Sequence, residues 1–158
     1  MTDNPFTVLT AVVAPAILTN ACSVLALGTG NRIARAVDRT WTVVARLAAA
    51  TPGSPEHATH TAHLTVLRRR SRLLLFSLRA LYAALGAFAS AALISVIGAL
   101  AALYDLTSIY HLAGVVALVA GVSAVLGLVT GCVLMVAETH LALQSMNNEV
   151  EQALAHQR

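Results

Sequence analysis

The stretch LAGVVALVAGVSAVLGLVTGCVLMVA, residues 112–137, decides the fold of this chain. It contains no charged side chain, and about 20 apolar residues are enough for a helix to cross a bilayer. Two further apolar runs occupy residues 6–27 and 73–103, the second interrupted by one arginine near its start. The sequence therefore predicts an all-α integral membrane protein with three transmembrane helices.

The composition agrees with a chain that is embedded in lipid. Hydrophobic residues make up 58% of the 158 residues and charged residues only 11%, whereas soluble domains carry about 25% charged residues. A soluble fold of this size has too little interior to bury so much apolar surface. All ten basic residues are arginine, and nine of them lie within residues 32–79.

The distribution of arginine predicts the orientation of the chain, because arginine-rich loops stay in the cytoplasm. We expect a multi-pass protein of the bacterial inner membrane, with its N-terminus outside and its C-terminus in the cytoplasm. The predicted segments are a first span at 1–28, a cytoplasmic helical hairpin at 29–72 with its turn at 51–55, a second span at 73–104, an external turn at 105–111, a third span at 112–137 and a cytoplasmic helical tail at 138–158.

The hairpin reads as two helices joined at residues 51–55, where two prolines and a glycine form a turn signal. Ser54 is placed to cap the second helix, and Pro55 suits its first position. In the first helix, large apolar side chains recur at helical spacing, which predicts an amphipathic helix with one apolar face. The members of that face are Ile33, Val37, Trp41, Val44 and Leu47.

The arginines of the hairpin are the candidate lipid- or partner-binding residues. Near the membrane they both fix the topology and contact anionic head groups, and a guanidinium group suits phosphate. Nucleic-acid binding is not expected, because the arginines lie against the membrane without interleaved aromatic side chains. The candidates are Arg32, Arg35, Arg39, Arg46, Arg68, Arg69, Arg70 and Arg72.

Polar and charged side chains also occur within the spans. Thr10, Asn20 and Ser23 lie in the first span, where they are candidates for interhelical hydrogen bonds or for lining a pore. Arg79 lies deeper on the second span than the hairpin arginines. We expect it either to extend its charge to the membrane surface or to pair with Glu138, at the inner end of the third span.

Small residues four positions apart predict close packing between helices. Gly86 and Ser90 form such a pair on the second span, and Gly127 and Gly131 form one on the third. The spacing does not distinguish packing within one chain from packing between chains.

Several residues in combination resemble a family of small bacterial three-pass membrane proteins that is known only as a domain of unknown function. The resemblance covers nearly the whole chain and implies the three-span topology without implying an activity. It is carried by Asn31-Arg32-Ile33, Asp38-Arg39, Leu67-Arg68-Arg69 and Glu138.

No grouping of residues has the pattern of a catalytic site, so we expect no enzymatic activity and no cofactor. His57, His60 and His63, with Glu56, are a weak candidate for metal binding or pH sensing, and a solvated surface is the simpler interpretation. We therefore expect a membrane-anchored structural or interaction protein whose basic hairpin binds anionic lipid or a protein partner. The alternative is a homo-oligomeric ion channel, with the first span lining the pore and a basic cytoplasmic vestibule.

Overall fold

The computed structural model describes the backbone of residues 5–155 and the side chains of residues 13–147. Its elements are α1 at Pro5–Ala49, α2 at Pro55–Leu103 and α3 at Thr107–Ala155. All regular structure within residues 5–155 is helical, which confirms the predicted all-α fold class. Each of the three helices is long and apolar enough to cross a membrane, so the chain has the architecture of a multi-pass membrane protein.

A short turn separates α1 from α2, and the start of α2 is capped. The Ser54 Oγ accepts a hydrogen bond of 3.1 Å from the backbone N–H of His57, the third residue of α2. This is the geometry of a helix N-cap, and it confirms the cap predicted at Ser54. Pro55 occupies the first helical position, where its missing N–H costs no hydrogen bond. Gly53 has a φ of 85°, a left-handed conformation that glycine adopts without steric cost.

The C-terminus of α2 ends in a Schellman motif. The backbone N–H of Leu106 donates to the Ala101 carbonyl at 3.0 Å, and that of Asp105 donates to the Ala102 carbonyl at 3.3 Å. The motif requires a left-handed residue after the helix, and Asp105 supplies it with a φ of 55°. Glycine is the usual residue there, because a Cβ is strained in that conformation.

The turn between α2 and α3 is shorter than the predicted external turn at 105–111. Helix α3 begins at Thr107, five positions before the predicted start of the third span at Leu112. Hydropathy marks where an apolar run begins, whereas a helix begins where its backbone hydrogen bonds begin. Residues 107–111 are therefore helical without belonging to the apolar run.

The chain divides into two compact units by its internal contacts. Unit 1 comprises Met1–Leu27 and Arg79–Gly131, and unit 2 comprises Gly28–Leu78 and Cys132–Arg158. Each unit contains segments of all three helices, and each has buried side chains of its own.

The core of unit 1 is built from small side chains around one aromatic ring. Cys22, Ala84, Phe88 and Ala124 form a buried cluster to which α1, α2 and α3 all contribute. A Cβ added to Gly127 would lie 3.2 Å from the Cβ of Ala84, tighter than ordinary van der Waals contact. Small residues at this level therefore let α2 and α3 approach closely, as they do in many membrane helix pairs.

The buried face of α1 in unit 2 differs from the predicted apolar face. Val37, Trp41 and Val44 belong to the predicted face, but they are 43%, 69% and 37% exposed. The apolar face of this helix and its buried face therefore coincide only in part. Smaller side chains three or four positions apart are buried or half-buried instead. These are Thr29, Ala36, Thr40 and Val43, together with Ile33 and Leu47 from the predicted face.

Candidate anion-binding site

Glu138 of α3 is a buried charged side chain in unit 2, with only 4% of its surface exposed. Arg70 donates two hydrogen bonds to the Glu138 Oε1, from Nε at 3.0 Å and from Nη2 at 2.8 Å. The Nη1 of Arg32 lies 3.7 Å from the other carboxylate oxygen, Oε2. A buried carboxylate is costly unless cations and hydrogen bonds compensate it, and two guanidinium groups do so here.

The helical phase of α2 explains why Arg70 reaches this carboxylate. Leu67, Leu74 and Ser77 are 2%, 1% and 0% exposed, and Arg70 falls between them at the same spacing of three or four residues. Arg70 therefore lies on the inward side of α2, and its side chain is 20% exposed. The neighbouring Arg69 lies on another side of the helix and is exposed.

Further polar contacts attach α1 to α3 next to Glu138. The Nη1 of Arg32 donates to the Thr139 hydroxyl at 3.2 Å, and that hydroxyl donates to the Met135 carbonyl at 2.9 Å. Thr29, which is fully buried, donates from its hydroxyl to the Met135 sulfur at 2.9 Å. These bonds hold the Arg32 guanidinium beside the helix that carries Glu138.

A cavity of about 380 Å³ lies beside the Glu138 ion pairs, and we call it the arginine cavity. Its volume falls within the range of roughly 300–1,000 Å³ that is usual for ligand pockets. Four guanidinium groups and one carboxylate line it, so its lining has an excess of positive charge. The charged and hydroxyl-bearing residues of the lining are Arg32, Arg35, Arg39, Arg70, Glu138 and Thr139.

This lining suits an anion that has several oxygen atoms. Arg35 and Arg39 stand one turn apart on α1, line the cavity and are exposed. A guanidinium group presents its N–H donors in a planar fork that fits phosphate or carboxylate oxygens. Because Glu138 already accepts two hydrogen bonds from Arg70, an incoming anion meets a carboxylate whose charge is compensated and a lining with four guanidinium groups.

The other predicted lipid-binding arginines lie elsewhere in unit 2. Arg68 and Arg72 line a separate groove with Trp41. Arg46 and Arg69 are exposed. Lipid binding by any of these arginines stays a prediction.

The sequence offered Arg79 as one possible partner of Glu138, the alternative being that Arg79 extends its charge to the membrane surface. The contacts of Glu138 in unit 2 are with Arg70 and Arg32, and its pairing with Arg79 stays a prediction. Sequence reasoning missed Arg70 because it grouped that residue with its neighbours as a surface anchor. The spacing from Leu67 through Arg70 to Leu74 was the signal that identifies the inward arginine.

The polar side chains of the first span lie in unit 1. Asn20 and Ser23 are exposed, and the Ser23 hydroxyl donates to the Thr19 carbonyl of its own helix at 3.0 Å. Thr10 lies outside the side chains that the structure describes. Pore lining by these residues stays a prediction, as does hydrogen bonding to another helix by Asn20.

The predicted small-residue pairs differ in their surroundings within unit 1. Gly127 lies at the close approach of α2 and α3, and Gly131 is buried. Gly86 and Ser90 are exposed, and a Cβ added to Gly86 would meet no atom of another described segment within 4 Å. The Ser90 hydroxyl donates to the Gly86 carbonyl at 2.8 Å. Packing of this second pair against another chain stays a prediction.

The histidines at the start of α2 are not gathered around a common point. Among the described side chains, no three His, Cys, Asp or Glu residues lie close enough to hold one metal ion. His57, His60 and His63 advance along the helix, so that the first and last are separated by roughly 9 Å of axial rise. The structure therefore does not support the weak metal candidate.

Comparison with known proteins identifies the family. Residues 12–148 match the family described as a protein of unknown function (DUF2721). The chain belongs to the DUF2721 family. The match spans the arginine cavity and confirms the resemblance to a family of unknown function, while the bacterial origin stays a prediction. No curated protein and no solved structure matched this DUF2721 chain.

Proposed function

We propose that this protein is a membrane-anchored interaction protein that binds the anionic head group of a phospholipid in its arginine cavity. The observation that carries the proposal is the placement of Arg32, Arg35, Arg39 and Arg70 around one cavity whose single carboxylate is already paired. The excess of guanidinium groups supports an anionic ligand, and the adjoining apolar helices support a lipid source for that anion.

Glu138 has a defined role in this proposal. Its two hydrogen bonds hold Arg70 in place, and its second oxygen attracts Arg32. Arginine side chains lose much rotational freedom when a ligand orders them, so guanidinium groups already fixed by protein contacts bind at lower entropic cost. Glu138 therefore organises the site, while Arg35 and Arg39 add two further positive charges to the cavity lining.

The proposed position in the membrane follows the arginine distribution. Residues 29–72 lie on the cytoplasmic side of a bacterial inner membrane, whose anionic lipids attract each nearby basic residue by about 1 kcal/mol. The N-terminus is then outside and the C-terminus inside. A cysteine placed at Ser54, with Cys22 and Cys132 replaced by alanine, should react with an impermeant maleimide only from the cytoplasmic side. Labelling from the outside would reverse the proposed orientation.

Ligand-dependent stability tests the proposal. In nanodiscs, the wild-type protein should gain thermal stability when phosphatidylglycerol replaces part of the phosphatidylcholine, because a ligand that binds only the folded state stabilises it. The variant R35Q/R39Q should lose the part of this gain that the arginine cavity supplies. The control R46Q/R69Q removes the same charge from exposed positions outside the cavity lining and should keep most of it. If both variants lose the same part of the gain in thermal stability, the gain comes from the total positive charge of the protein and not from the arginine cavity.

A homo-oligomeric channel is the second candidate, and one observation favours it. Asn20 and Ser23 are polar residues of an apolar helix, yet both are exposed in the single chain. Polar groups that face lipid are unfavourable, and a second copy of the chain or a water-filled pore removes that cost. Ion flux through liposomes measures the contribution of these residues. If the flux is unchanged in Asn20→Leu and Ser23→Ala, these two residues do not line a pore.

A further inference from the structure

A second groove of about 440 Å³ lies between α1 and α2 in unit 2. None of the residues that line it belongs to the lining of the arginine cavity. The residues that matter here are Val37, Thr40 and Trp41 of α1, and Arg68, Arg72 and Leu75 of α2. The groove is therefore a separate site with its own mixture of charged, aromatic and aliphatic side chains.

The groove exposes large apolar side chains beside two cations. Trp41 is 69% exposed, Val37 is 43% exposed and Leu75 is 44% exposed, while Arg68 and Arg72 are exposed on the same side of the groove. Arg68 and Arg72 are four residues apart, so they share one face of α2. Tryptophan with an apolar ring and a single N–H donor is the residue most suited to the boundary between head groups and acyl chains.

Charged and aliphatic residues are ordered along both helices. On α2 the arginines come first and Leu75 follows them in the direction of the apolar run, whereas on α1 Val37 precedes Trp41 and lies nearer the apolar run. Guanidinium groups thus occupy one end of the groove and aliphatic side chains the other. A free anion can contact only the guanidinium groups, whereas a phospholipid can contact the guanidinium groups with its phosphate and the aliphatic side chains with its acyl chain.

We propose that this groove binds one anionic phospholipid, with the phosphate on Arg68 and Arg72 beside Trp41 and an acyl chain along Val37 and Leu75. The site is additional to the arginine cavity. The two sites share no lining residue. The groove depends on the proposed function only because both sites are proposed to bind the same class of ligand, an anionic phospholipid.

Trp41 makes the proposal directly measurable, because it is the one tryptophan in the chain. The full chain is reconstituted in vesicles in which either phosphatidylglycerol or phosphatidylcholine carries brominated acyl chains, at equal mole fractions. Bromine quenches tryptophan fluorescence only at short range. Brominated phosphatidylglycerol should quench Trp41 with an apparent association constant about tenfold above that of brominated phosphatidylcholine. Equal quenching by the two lipids would overturn the proposal.

Three double variants separate this site from the arginine cavity. R68Q/R72Q should abolish the preference for phosphatidylglycerol at Trp41, and R68K/R72K should retain part of it because the charges remain. R35Q/R39Q should leave the quenching preference unchanged, even if it abolishes binding in the arginine cavity. Circular dichroism must show that all three variants stay helical. Loss of the preference in R35Q/R39Q as well as in R68Q/R72Q would contradict a separate site.

Inorganic phosphate distinguishes the lipid from a free anion as the ligand. Phosphate added at constant ionic strength should leave the quenching by brominated phosphatidylglycerol unchanged, because it cannot occupy the aliphatic end of the groove. Displacement of the lipid by inorganic phosphate alone would show that the two arginines recognise a soluble anion, and the lipid site would be wrong.

Discussion

Arg70 and Glu138 are joined by two hydrogen bonds to the same carboxylate oxygen, Oε1, at 3.0 and 2.8 Å. The two residues come from α2 and α3, and both are largely withdrawn from solvent, with side chains 20% and 5% exposed. Arg32 of α1 approaches the other carboxylate oxygen. Glu138 thus links all three helices of unit 2 and sets the position of the arginines around the cavity.

Replacement of Glu138 by glutamine should destabilise the folded protein by about 3 kcal/mol. The substitution leaves the mostly buried Arg70 guanidinium without a counter-charge, and broken buried ion pairs typically cost that much. Thermal unfolding in detergent should show a midpoint several degrees lower. Asp38→Asn is the matched control, because Asp38 is an exposed acid of α1 and its replacement should change stability little.

The stability of the double variant R70Q/E138Q shows whether Arg70 and Glu138 act as a pair. Removing both charges leaves no buried charge without a partner, so the double variant should be more stable than E138Q alone. Additive losses from the two single variants would mean that Arg70 and Glu138 do not act as a pair.

Sequence patterns predict much of this fold because the apolar runs are long and the arginines are concentrated. The three helices and the cap at Ser54 follow from hydropathy and local turn chemistry. The inward face of α1 does not follow from hydropathy. Trp41 is larger and more apolar than Ala36, but Trp41 is exposed and Ala36 is half-buried. Hydrophobicity alone therefore does not identify the packed side of this helix.

The sequence predicts which arginines belong to the candidate site, but it does not predict which of them pairs with Glu138. The cavity arginines were all named from the sequence, because an arginine-rich segment beside a membrane is a strong local signal. Which arginine faces Glu138 depends on helical phase, and Arg70 shares its phase with the buried Leu67, Leu74 and Ser77. The cavity itself depends on where three helices pack, which no single segment specifies.

Gly127→Ala should destabilise unit 1 by about 1 kcal/mol. The added Cβ would lie 3.2 Å from the Ala84 Cβ and 3.3 Å from the Ala80 carbonyl oxygen, and backbone atoms yield little. Gly121→Ala is the control on the same helix, because its Cβ would meet no atom of another described segment within 4 Å. Unfolding in detergent should separate the two variants, and equal stability would contradict the close approach at Gly127.

Asp105→Gly should stabilise the protein by about 0.5 kcal/mol. Asp105 has a φ of 55° in the Schellman motif, where glycine avoids the strain of a Cβ. Asp105→Ala keeps the Cβ and removes the carboxylate, so it should give no such gain. A stabilisation shared by both variants would instead point to the aspartate charge, and thermal unfolding of the three proteins decides between the two causes.

Asn20→Leu should weaken association between chains by about threefold to eighteenfold, if the exposed Asn20 bonds to a second copy. Hydrogen bonds between membrane helices contribute about 0.6–1.7 kcal/mol, which corresponds to that change. Ser23→Ala should have little effect, because the Ser23 hydroxyl already bonds to the Thr19 carbonyl. The molar mass of the protein in detergent, corrected for bound lipid, measures the change. An unaltered mass distribution in Asn20→Leu would exclude this contact.

The central claim is that the arginine cavity selects an anionic lipid head group, and native mass spectrometry of delipidated protein tests it most directly. Wild-type protein offered equal amounts of phosphatidylglycerol and phosphatidylcholine should retain phosphatidylglycerol preferentially. R35Q/R39Q should lose about tenfold or more of the affinity for one of the bound phosphatidylglycerol molecules, whereas R46Q/R69Q should lose little. No preference in the wild-type protein, or the same loss in both variants, would contradict the claim.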